Sequence, residues 1–148
     1  MSKLFVKLSV TATIGGLLCV SPGFAQNTAP AAQMTQAPEV EIMHDDTAIL
    51  RWKTTAPAGP SSEQFAIARC GESPDSLGPE WKSHIRVNKT HSETMWRVRI
   101  ENLKPQTTYY CKVTSRDANG NNTGPESDLC QFTMPGPGER VVHYGQPQ

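Results

Sequence analysis

Side chains that could bind a metal or take part in catalysis are spread along this chain of 148 residues without a shared motif. Protein metal sites usually draw His or Cys ligands from short, regular spacings such as C-x-x-C or H-x-x-x-H. No two of the His and Cys residues occur at such a spacing, so we predict neither a metal nor a cofactor. The histidines are His44, His84, His91 and His143.

Two carboxylates are adjacent at Asp45 and Asp46, in what we predict to be a turn between the first two strands. An acid/base pair needs burial or close contact to raise the pKa of one carboxyl group, and an exposed turn lacks the burial. The sequence also has no G-x-S-x-G nucleophile motif and no Gly-rich phosphate loop. We therefore predict that the chain is not an enzyme.

The segment that begins at Asp117 resembles a calcium-binding loop, because Asp117, Asn119 and Asn121 occupy alternate positions. Its sixth position is Asn122, where such loops use glycine for a sharp turn. The Asn-Gly pair at 119–120 is instead typical of a tight turn between two strands. We favour a connecting turn over a calcium site.

The charge balance argues against a nucleic-acid partner, and the distribution of apolar residues argues against a membrane span. The chain has 14 Lys and Arg residues and 14 Asp and Glu residues, whereas a nucleic-acid surface needs an excess of basic side chains. After the first twenty residues no apolar run approaches the roughly 20 residues that cross a bilayer, so we predict no membrane span. This length corresponds to one domain, which we expect to be a monomer.

The first 25 residues have the features of an export signal. Lys3 and Lys7 precede the apolar stretch of residues 8–20, and small residues up to Ala25 match a signal-peptidase site. Cleavage there would make Gln26 the first residue and place the protein in the periplasm or outside the cell. Residues 26–37 have no charge and no aromatic side chain, so we predict a disordered linker. We predict a flexible C-terminal tail for the Pro- and Gly-rich residues 135–148.

Between these segments, apolar residues alternate with polar ones at the period of two that is typical of β-strands. Trp96, Val98 and Ile100 alternate with Arg97 and Arg99, which predicts a strand with one buried face. Residues 65–70 also alternate but leave open which face is buried. Six or seven short strands without an amphipathic helix indicate an antiparallel sandwich. The other alternating runs are 48–53, 109–114 and 130–133.

One segment carries a family signature. Residues 103–113, LKPQTTYYCKV, resemble the L-x-P-x-T-x-Y-x-x-x-V signature of fibronectin type III domains, in which the tyrosine begins the sixth strand. Trp52 resembles the tryptophan of the second strand, and residues 117–121 resemble the last hairpin. The resemblance implies an all-β, seven-strand, antiparallel immunoglobulin-like sandwich over residues 38–134.

The exit of the third strand is more specific. Residues 70–77, CGESPDSL, are similar to the Y-G-x-S-P-x-x-L motif of the fibronectin-like domain that precedes the catalytic domain of purple acid phosphatases. Many bacterial exported proteins have a similar domain. In those phosphatases the metal domain follows, whereas this chain continues only briefly after Met134. The resemblance therefore implies a scaffold without the phosphatase chemistry.

The signature also assigns structural roles to several residues. Pro105 sets the turn at one end of the sandwich. The ring of Tyr109 can enter the core while its hydroxyl bonds a backbone group a few residues upstream, an arrangement called a tyrosine corner. Leu103, Trp52 and Trp96 are the other structural residues that we expect to support the fold.

Three cysteines follow the predicted signal peptide, and an exported chain meets an oxidising compartment. The family resemblance places Cys70, Cys111 and Cys130 on the third, sixth and seventh strands, which neighbour one another in that order. Strands two apart are about 9.5 Å apart, which makes Cys70 with Cys130 the poorest pair. The register of the family favours Cys70 over Cys130 as the partner of Cys111. Three buried, reduced thiols are the alternative.

Four basic residues are predicted to share one outer face. Arg51 and Lys53 flank a tryptophan on the second strand, and Arg97 and Arg99 alternate with apolar residues on the fifth. These strands are neighbours in the family. One interpretation is a site for an anionic polymer such as an acidic glycan, and the alternative is a solvated face of paired charges. The available carboxylates are Glu39, Glu41 and Glu101.

The export signal, the sandwich and the missing catalytic motif predict an exported, non-catalytic binding or spacer module. Its partner would be a protein or an acidic glycan. One alternative is an accessory protein of a separately encoded hydrolase such as a metallophosphatase. A second alternative is a structural component of the cell envelope.

Overall fold

The computed structural model describes residues 32–57 and 59–143. The predicted signal peptide, residues 1–25, lies outside the described residues, as do residues 26–31, Ala58 and residues 144–148. The described part of the chain consists of β-strands and connecting turns. It contains no helix that could span a membrane.

Within the described residues, eight strands form two antiparallel four-stranded sheets. They are β1 (Met34–His44), β2 (Thr47–Thr55), β3 (Glu63–Gly71), β4 (Glu80–Arg86), β5 (Glu93–Ile100), β6 (Thr108–Asp117), β7 (Cys130–Thr133) and β8 (Arg140–Val142). We call the sheet with strand order β5-β2-β1-β8 the front sheet, and the sheet with order β4-β3-β6-β7 the back sheet. The predicted antiparallel sandwich is confirmed, with eight strands instead of seven.

The core lies between the sheets and is built from alternate residues of the strands. Leu50 and Trp52 of β2 and Trp96 and Val98 of β5 are fully buried, and their neighbours in sequence face outward. The two indole rings stack with their centroids 6.3 Å apart. The central residues of β2 and β5 therefore anchor the front sheet in the core.

Strand β3 directs its small side chains into the core between the sheets, and Ile67 is buried on its other side. Ala66 and Ala68 face the core, whereas Phe65, Ile67 and Arg69 lie on the opposite side of the strand. A closely packed interior has a limited volume, and the front sheet already fills much of it with two tryptophans. This explains which face of residues 65–70 is buried, a choice that the sequence left open.

The predicted tyrosine corner is present. Tyr109 is buried, and its hydroxyl accepts a hydrogen bond from the backbone N–H of Lys104 at 2.9 Å. Leu103 is buried as well, and Pro105 lies exposed in the turn. The next residue, Gln106, has a left-handed φ of 53°. These residues fix the connection from β5 to β6.

Two segments predicted to lack structure belong to the front sheet. The linker prediction is wrong for residues 34–37, because β1 begins at Met34 and the Thr55 N–H already donates to the Gln33 carbonyl. Backbone pairing with β2 holds this segment, and side-chain types give no signal of such pairing. The tail prediction is wrong for residues 140–142, which pair with Ile42–His44 as β8 while Val141 packs against the core.

The outer edge of β1 is irregular. Its pairing with β2 has three register shifts, and Pro38 lies in the middle of the strand. On its other side β1 pairs with β8 only at its C-terminal end, where the His143 N–H donates to the Glu41 carbonyl at 2.9 Å. Among the described residues, no strand pairs with this side of residues 34–40.

Candidate binding faces

The outer face of the front sheet, here called the front face, carries the four cations that the sequence predicts. Strands β2 and β5 are neighbours, and their register places Arg51 directly opposite Arg97. Lys53 and Arg99 lie two residues further along their strands, on the same side. Like charges in opposite positions repel each other, so this face needs carboxylates to be stable.

Strand β1 supplies two of these carboxylates. Arg51 Nε donates to Glu39 Oε1 at 2.7 Å, and Arg97 donates two hydrogen bonds to Glu41, at 2.8 and 3.0 Å. Arg51 also approaches Glu41, with a nitrogen-to-oxygen distance of 3.6 Å. The side chains of Arg51 and Glu41 are only 14% and 16% exposed, so their charges are largely shielded from a ligand.

The pairing also changes the protonation behaviour of this face. Hydrogen bonding from Arg97 lowers the pKa of Glu41, helped by the positive charges of Arg97 and Arg51 and opposed by desolvation. In return, the hydrogen bond from Glu41 raises the pKa of Arg97. Both groups are therefore held in their charged forms.

The two remaining cations of the front face, Lys53 and Arg99, differ in whether they have a carboxylate partner. Arg99 pairs with Glu101 at 3.0 Å, and Lys53 has no carboxylate partner among the described residues. Three of the four predicted binding residues are thus neutralised by neighbouring glutamates. The front face matches the face of paired charges that the sequence offered as the alternative.

The outer face of the back sheet, here called the back face, carries a second set of cations. On β4, Lys82, His84 and Arg86 point outward, while Trp81 and Ile85 pack against the core. The register of β3 with β4 and β6 brings further cations to the same face. These are Arg69, Lys112 and Arg116.

Two carboxylates of the back face pair with cations of β3 and β6. Glu126 contacts both Arg69, at 2.9 Å, and Lys112, at 3.1 Å, while Glu80 contacts Arg116 at 2.9 Å. The hydrogen bond from Lys112 is the main cause that lowers the pKa of Glu126. Glu126 therefore pairs with two cations at the centre of this face.

The third carboxylate lies beside β4. Glu63 contacts His84 closely and Arg86 at 3.7 Å. Lys82 has no carboxylate partner among the described residues, and its Nζ lies 3.8 Å from the centre of the Phe65 ring in a cation–π contact. With histidine neutral, five cations face three carboxylates, so the back face has two more positive than negative charges.

The sequence interpretation missed the back face because it assigned no strand to residues 80–86. The signal was present, since Lys82, His84 and Arg86 alternate with Trp81 and Ile85. An edge strand with four charged or ionisable side chains and few β-branched residues has a weak hydrophobic pattern. A search for alternating charge as well as alternating hydrophobicity would have found it.

The three cysteines lie opposite one another across the back sheet. Cys70 of β3 and Cys111 of β6 form a disulfide with their Cα atoms 4.2 Å apart, as predicted. Cys130 of β7 lies opposite Cys111 and is a free, half-buried thiol that donates to the Cys111 carbonyl at 3.3 Å. Burial raises the pKa of the Cys130 thiol. The alternative of three reduced thiols is wrong.

The acidic motifs form turns. The Asp117 carboxylate accepts hydrogen bonds from the backbone N–H groups of Asn119 and Asn121 and from the Asn121 side chain, at 2.9 to 3.0 Å. The side-chain bond from Asn121 is the main cause that lowers the pKa of Asp117. Asp45 and Asp46 lie in the exposed β1–β2 turn. Within residues 32–57 and 59–143, no group of three or more His, Cys, Asp or Glu side chains is placed to hold a metal ion.

The C-G-x-S-P motif at the exit of β3 forms a closed turn. The Gly78 N–H donates to the Cys70 carbonyl at 2.8 Å, and Ser73 and Ser76 form an isolated bridge. A Cβ atom on Gly71 would collide with the Ser76 carbonyl, so this close backbone approach requires glycine. The motif therefore has a structural explanation.

The sheet topology and the tyrosine corner define a fibronectin type III-like sandwich. No protein-family model matches the chain, and a search of curated proteins finds no match. Among solved structures, the chain is similar to the sensor domain of the anti-sigma factor RsgI4 of Pseudobacteroides cellulosolvens, at 17% identity and a TM-score of 0.47, covering 71% of this chain and 74% of that one. It is also similar to the third fibronectin III domain of the human KIAA0343 protein, at 16% identity and a TM-score of 0.40, covering 78% and 91%.

Proposed function

We propose that the chain is an exported, non-catalytic binding module that acts as a monomer. The observation that carries this proposal is the disulfide between Cys70 and Cys111, which are 1% and 0% exposed. Structural disulfides persist in oxidising compartments and are rare in the cytosol. Together with the export-signal pattern of residues 1–25, the disulfide supports a periplasmic or secreted location.

The binding role is supported by the surfaces of the sandwich. Both sheet faces present charged side chains on strands that a buried core holds in place. Electrostatic complementarity on such faces gives specificity and fast association without catalytic groups. A flat, charged sheet face therefore suits a binding module.

The two alternative roles have less support. An accessory role beside a hydrolase depends on the motif of residues 70–77, whose one glycine, Gly71, is explained by the closed turn. A structural role in the envelope would depend on free terminal segments, whereas residues 34–37 and 140–142 of these segments pair within the front sheet. We therefore favour the binding module over both alternatives.

Export can be tested by producing the full chain in a bacterium and measuring the intact mass of protein from the periplasm and the medium. We expect a chain that begins at Gln26 and carries the Cys70–Cys111 disulfide. A chain that begins at Met1 and stays reduced in the cytoplasm would contradict the proposal.

Binding without catalysis needs a separate experiment. The exported protein serves as bait in an envelope extract, and phosphatase, esterase and glycosidase substrates are tested with added divalent metals. We expect reproducible capture of a partner and no turnover. Turnover that follows the purified protein and disappears in a point variant would overturn the non-catalytic assignment.

A further inference from the structure

We propose that the back face binds an acidic polysaccharide, and that the front face does not. This inference deepens the proposed function and rests on its exported location, where such polymers are encountered. It differs from the sequence expectation, which placed the site at Arg51, Lys53, Arg97 and Arg99. The ligand is a chain of sugars that carries carboxylate or sulfate groups.

The first argument is the distribution of charge. The whole chain has a formal net charge of zero, yet the back face has five permanent cations and three carboxylates. On the front face each arginine has a glutamate partner, and Arg51 is 14% exposed. A polyanion is therefore attracted more strongly to the back face.

The second argument is the availability of the cations. Arg86 is 81% exposed, and its only carboxylate contact within residues 32–57 and 59–143, with Glu63, is long at 3.7 Å. Lys82 has only the Phe65 ring as a partner among the described residues. An incoming carboxylate can contact both cations without first breaking a short ion pair. Arg51 and Arg97, by contrast, would have to exchange close glutamate partners.

The third argument is the spacing. Lys82, His84 and Arg86 occupy alternate positions of β4. The Cα atoms of successive members of this row are therefore about 7 Å apart along the strand. Strand β4 lies at the edge of the back sheet. The permanent cations of this row, Lys82 and Arg86, are four residues or about 13 Å apart along the edge, a distance that suits a linear polymer with repeated negative charges better than a single small anion.

The fourth argument separates a polysaccharide from a nucleic acid. The half-buried Phe65 ring lies under the Lys82 ammonium group and 5.3 Å, centroid to centroid, from His84. When Lys82 turns toward an acid group of the ligand, the ring can pack against the C–H face of a sugar. Glu63 and Glu80 lie among the cations and would repel the dense phosphate charge of a nucleic acid. Sugars with more widely spaced acid groups fit this mixed face.

The test measures binding of the exported full chain to alginate, with neutral dextran and single-stranded DNA as comparison ligands. We expect binding to alginate and none to dextran. Binding should weaken steeply as salt is raised, because exposed charges are screened over about 10 Å at 0.1 M salt. The Lys82→Glu, Arg86→Glu double variant should bind roughly tenfold more weakly.

The matched control is the Lys53→Glu, Arg99→Glu double variant of the front face, which changes the net charge by the same amount and keeps the Arg97–Glu41 pair. Its affinity should change less than about twofold. Circular dichroism and thermal unfolding check that each variant is folded, and Lys82→Ser with Arg86→Ser provides a milder back-face pair that is tested in the same way.

Several results would overturn the proposal. They are equal losses in the two charge-reversal variants, binding that salt does not change, tighter binding of DNA than of alginate, and no binding of alginate by the folded wild type. The export and capture experiments do not use alginate. A failure of this inference can therefore be distinguished from a failure of the proposed function.

Discussion

The phenol oxygen of Tyr109 lies 2.9 Å from the backbone nitrogen of Lys104, where the chain from β5 enters β6. The same ring stacks on Phe132 of β7, with the centroids 5.9 Å apart. One side chain thus connects the core of the back sheet to the backbone of a turn. Lys104 lies in a turn between strands, and the Tyr109 hydroxyl is the hydrogen-bond acceptor for its backbone N–H.

Replacing Tyr109 by Phe removes this hydrogen bond and leaves the ring in place. We expect Tyr109→Phe to lower the free energy of unfolding by roughly 1 to 3 kcal/mol, because the Lys104 N–H loses its acceptor. Urea denaturation measures the change. Tyr110→Phe is the control, since the Tyr110 side chain lies on the outer face of β6. Equal costs for the two variants would contradict this role of the hydroxyl.

The two core tryptophans differ in their hydrogen bonding. Trp96 Nε1 donates to Thr54 Oγ1 at 2.9 Å, whereas Trp52 Nε1 has no hydrogen-bond partner in the described part of the chain. Truncation of either residue to Ala should cost roughly 3 to 5 kcal/mol because it opens a cavity. Replacement by Phe should be costlier at Trp96, since only there is a buried hydrogen bond lost. Urea denaturation of both Phe variants decides this, and a larger cost at Trp52 would contradict it.

The Cys130 thiol should react slowly in the folded protein. Burial raises its pKa, which reduces the thiolate fraction at neutral pH, and half-burial restricts access to the sulfur. Alkylation followed by mass spectrometry, with and without urea, should show rapid labelling of Cys130 only after unfolding. A non-reducing peptide map is the control, and a peptide that joins Cys111 to Cys130 would contradict the disulfide assignment.

Glu41 should contribute to the loss of stability in acid. Hydrogen bonding from Arg97 holds its pKa below the ordinary value of 4.5, so the folded state binds the proton less readily than the unfolded state. This stabilisation is present above the ordinary pKa and is lost as the pH falls through the folded-state pKa. Glu41→Gln should therefore be less stable at neutral pH and show a shallower loss of stability in acid.

Urea denaturation at a series of pH values measures this effect. Glu93→Gln is the matched control, because Glu93 belongs to the same sheet and has no ion pair within residues 32–57 and 59–143. If the free energies of unfolding of the wild type and Glu41→Gln fall in parallel as the pH is lowered, the ion pair does not contribute to the loss of stability in acid.

The sequence predicted the parts of the fold that side-chain types encode. The run from Trp96 to Ile100 alternates without interruption, and Tyr109 follows Leu103 and Pro105 at the offsets of a corner, so both were predicted correctly. Strand β8 was missed because three residues after a Pro-Gly segment give too short a pattern. Its position depends on backbone pairing with β1, which composition does not record.

The candidate faces could be predicted only in part. Alternation placed Arg51 and Arg97 on one outer face, but their neutralisation depends on the register of β1. A shift between Gln36 and Glu39 brings Glu39 opposite Arg51, and the Gln36 side chain donates to Glu39 at 2.7 Å. Local sequence patterns do not specify such a shift. The sequence offered Glu39, Glu41 and Glu101 as partners, and the folded sheet shows which arginine each glutamate pairs with.

The irregular edge of β1 has a consequence for how the protein behaves at high concentration. Pro38 removes one backbone donor, the register shifts disturb the flat geometry that another strand needs, and β8 occupies the far end. Edges of this kind are poor templates for cross-β growth. The front sheet is therefore protected against fibril formation at the position where a long, regular first strand would otherwise be most vulnerable.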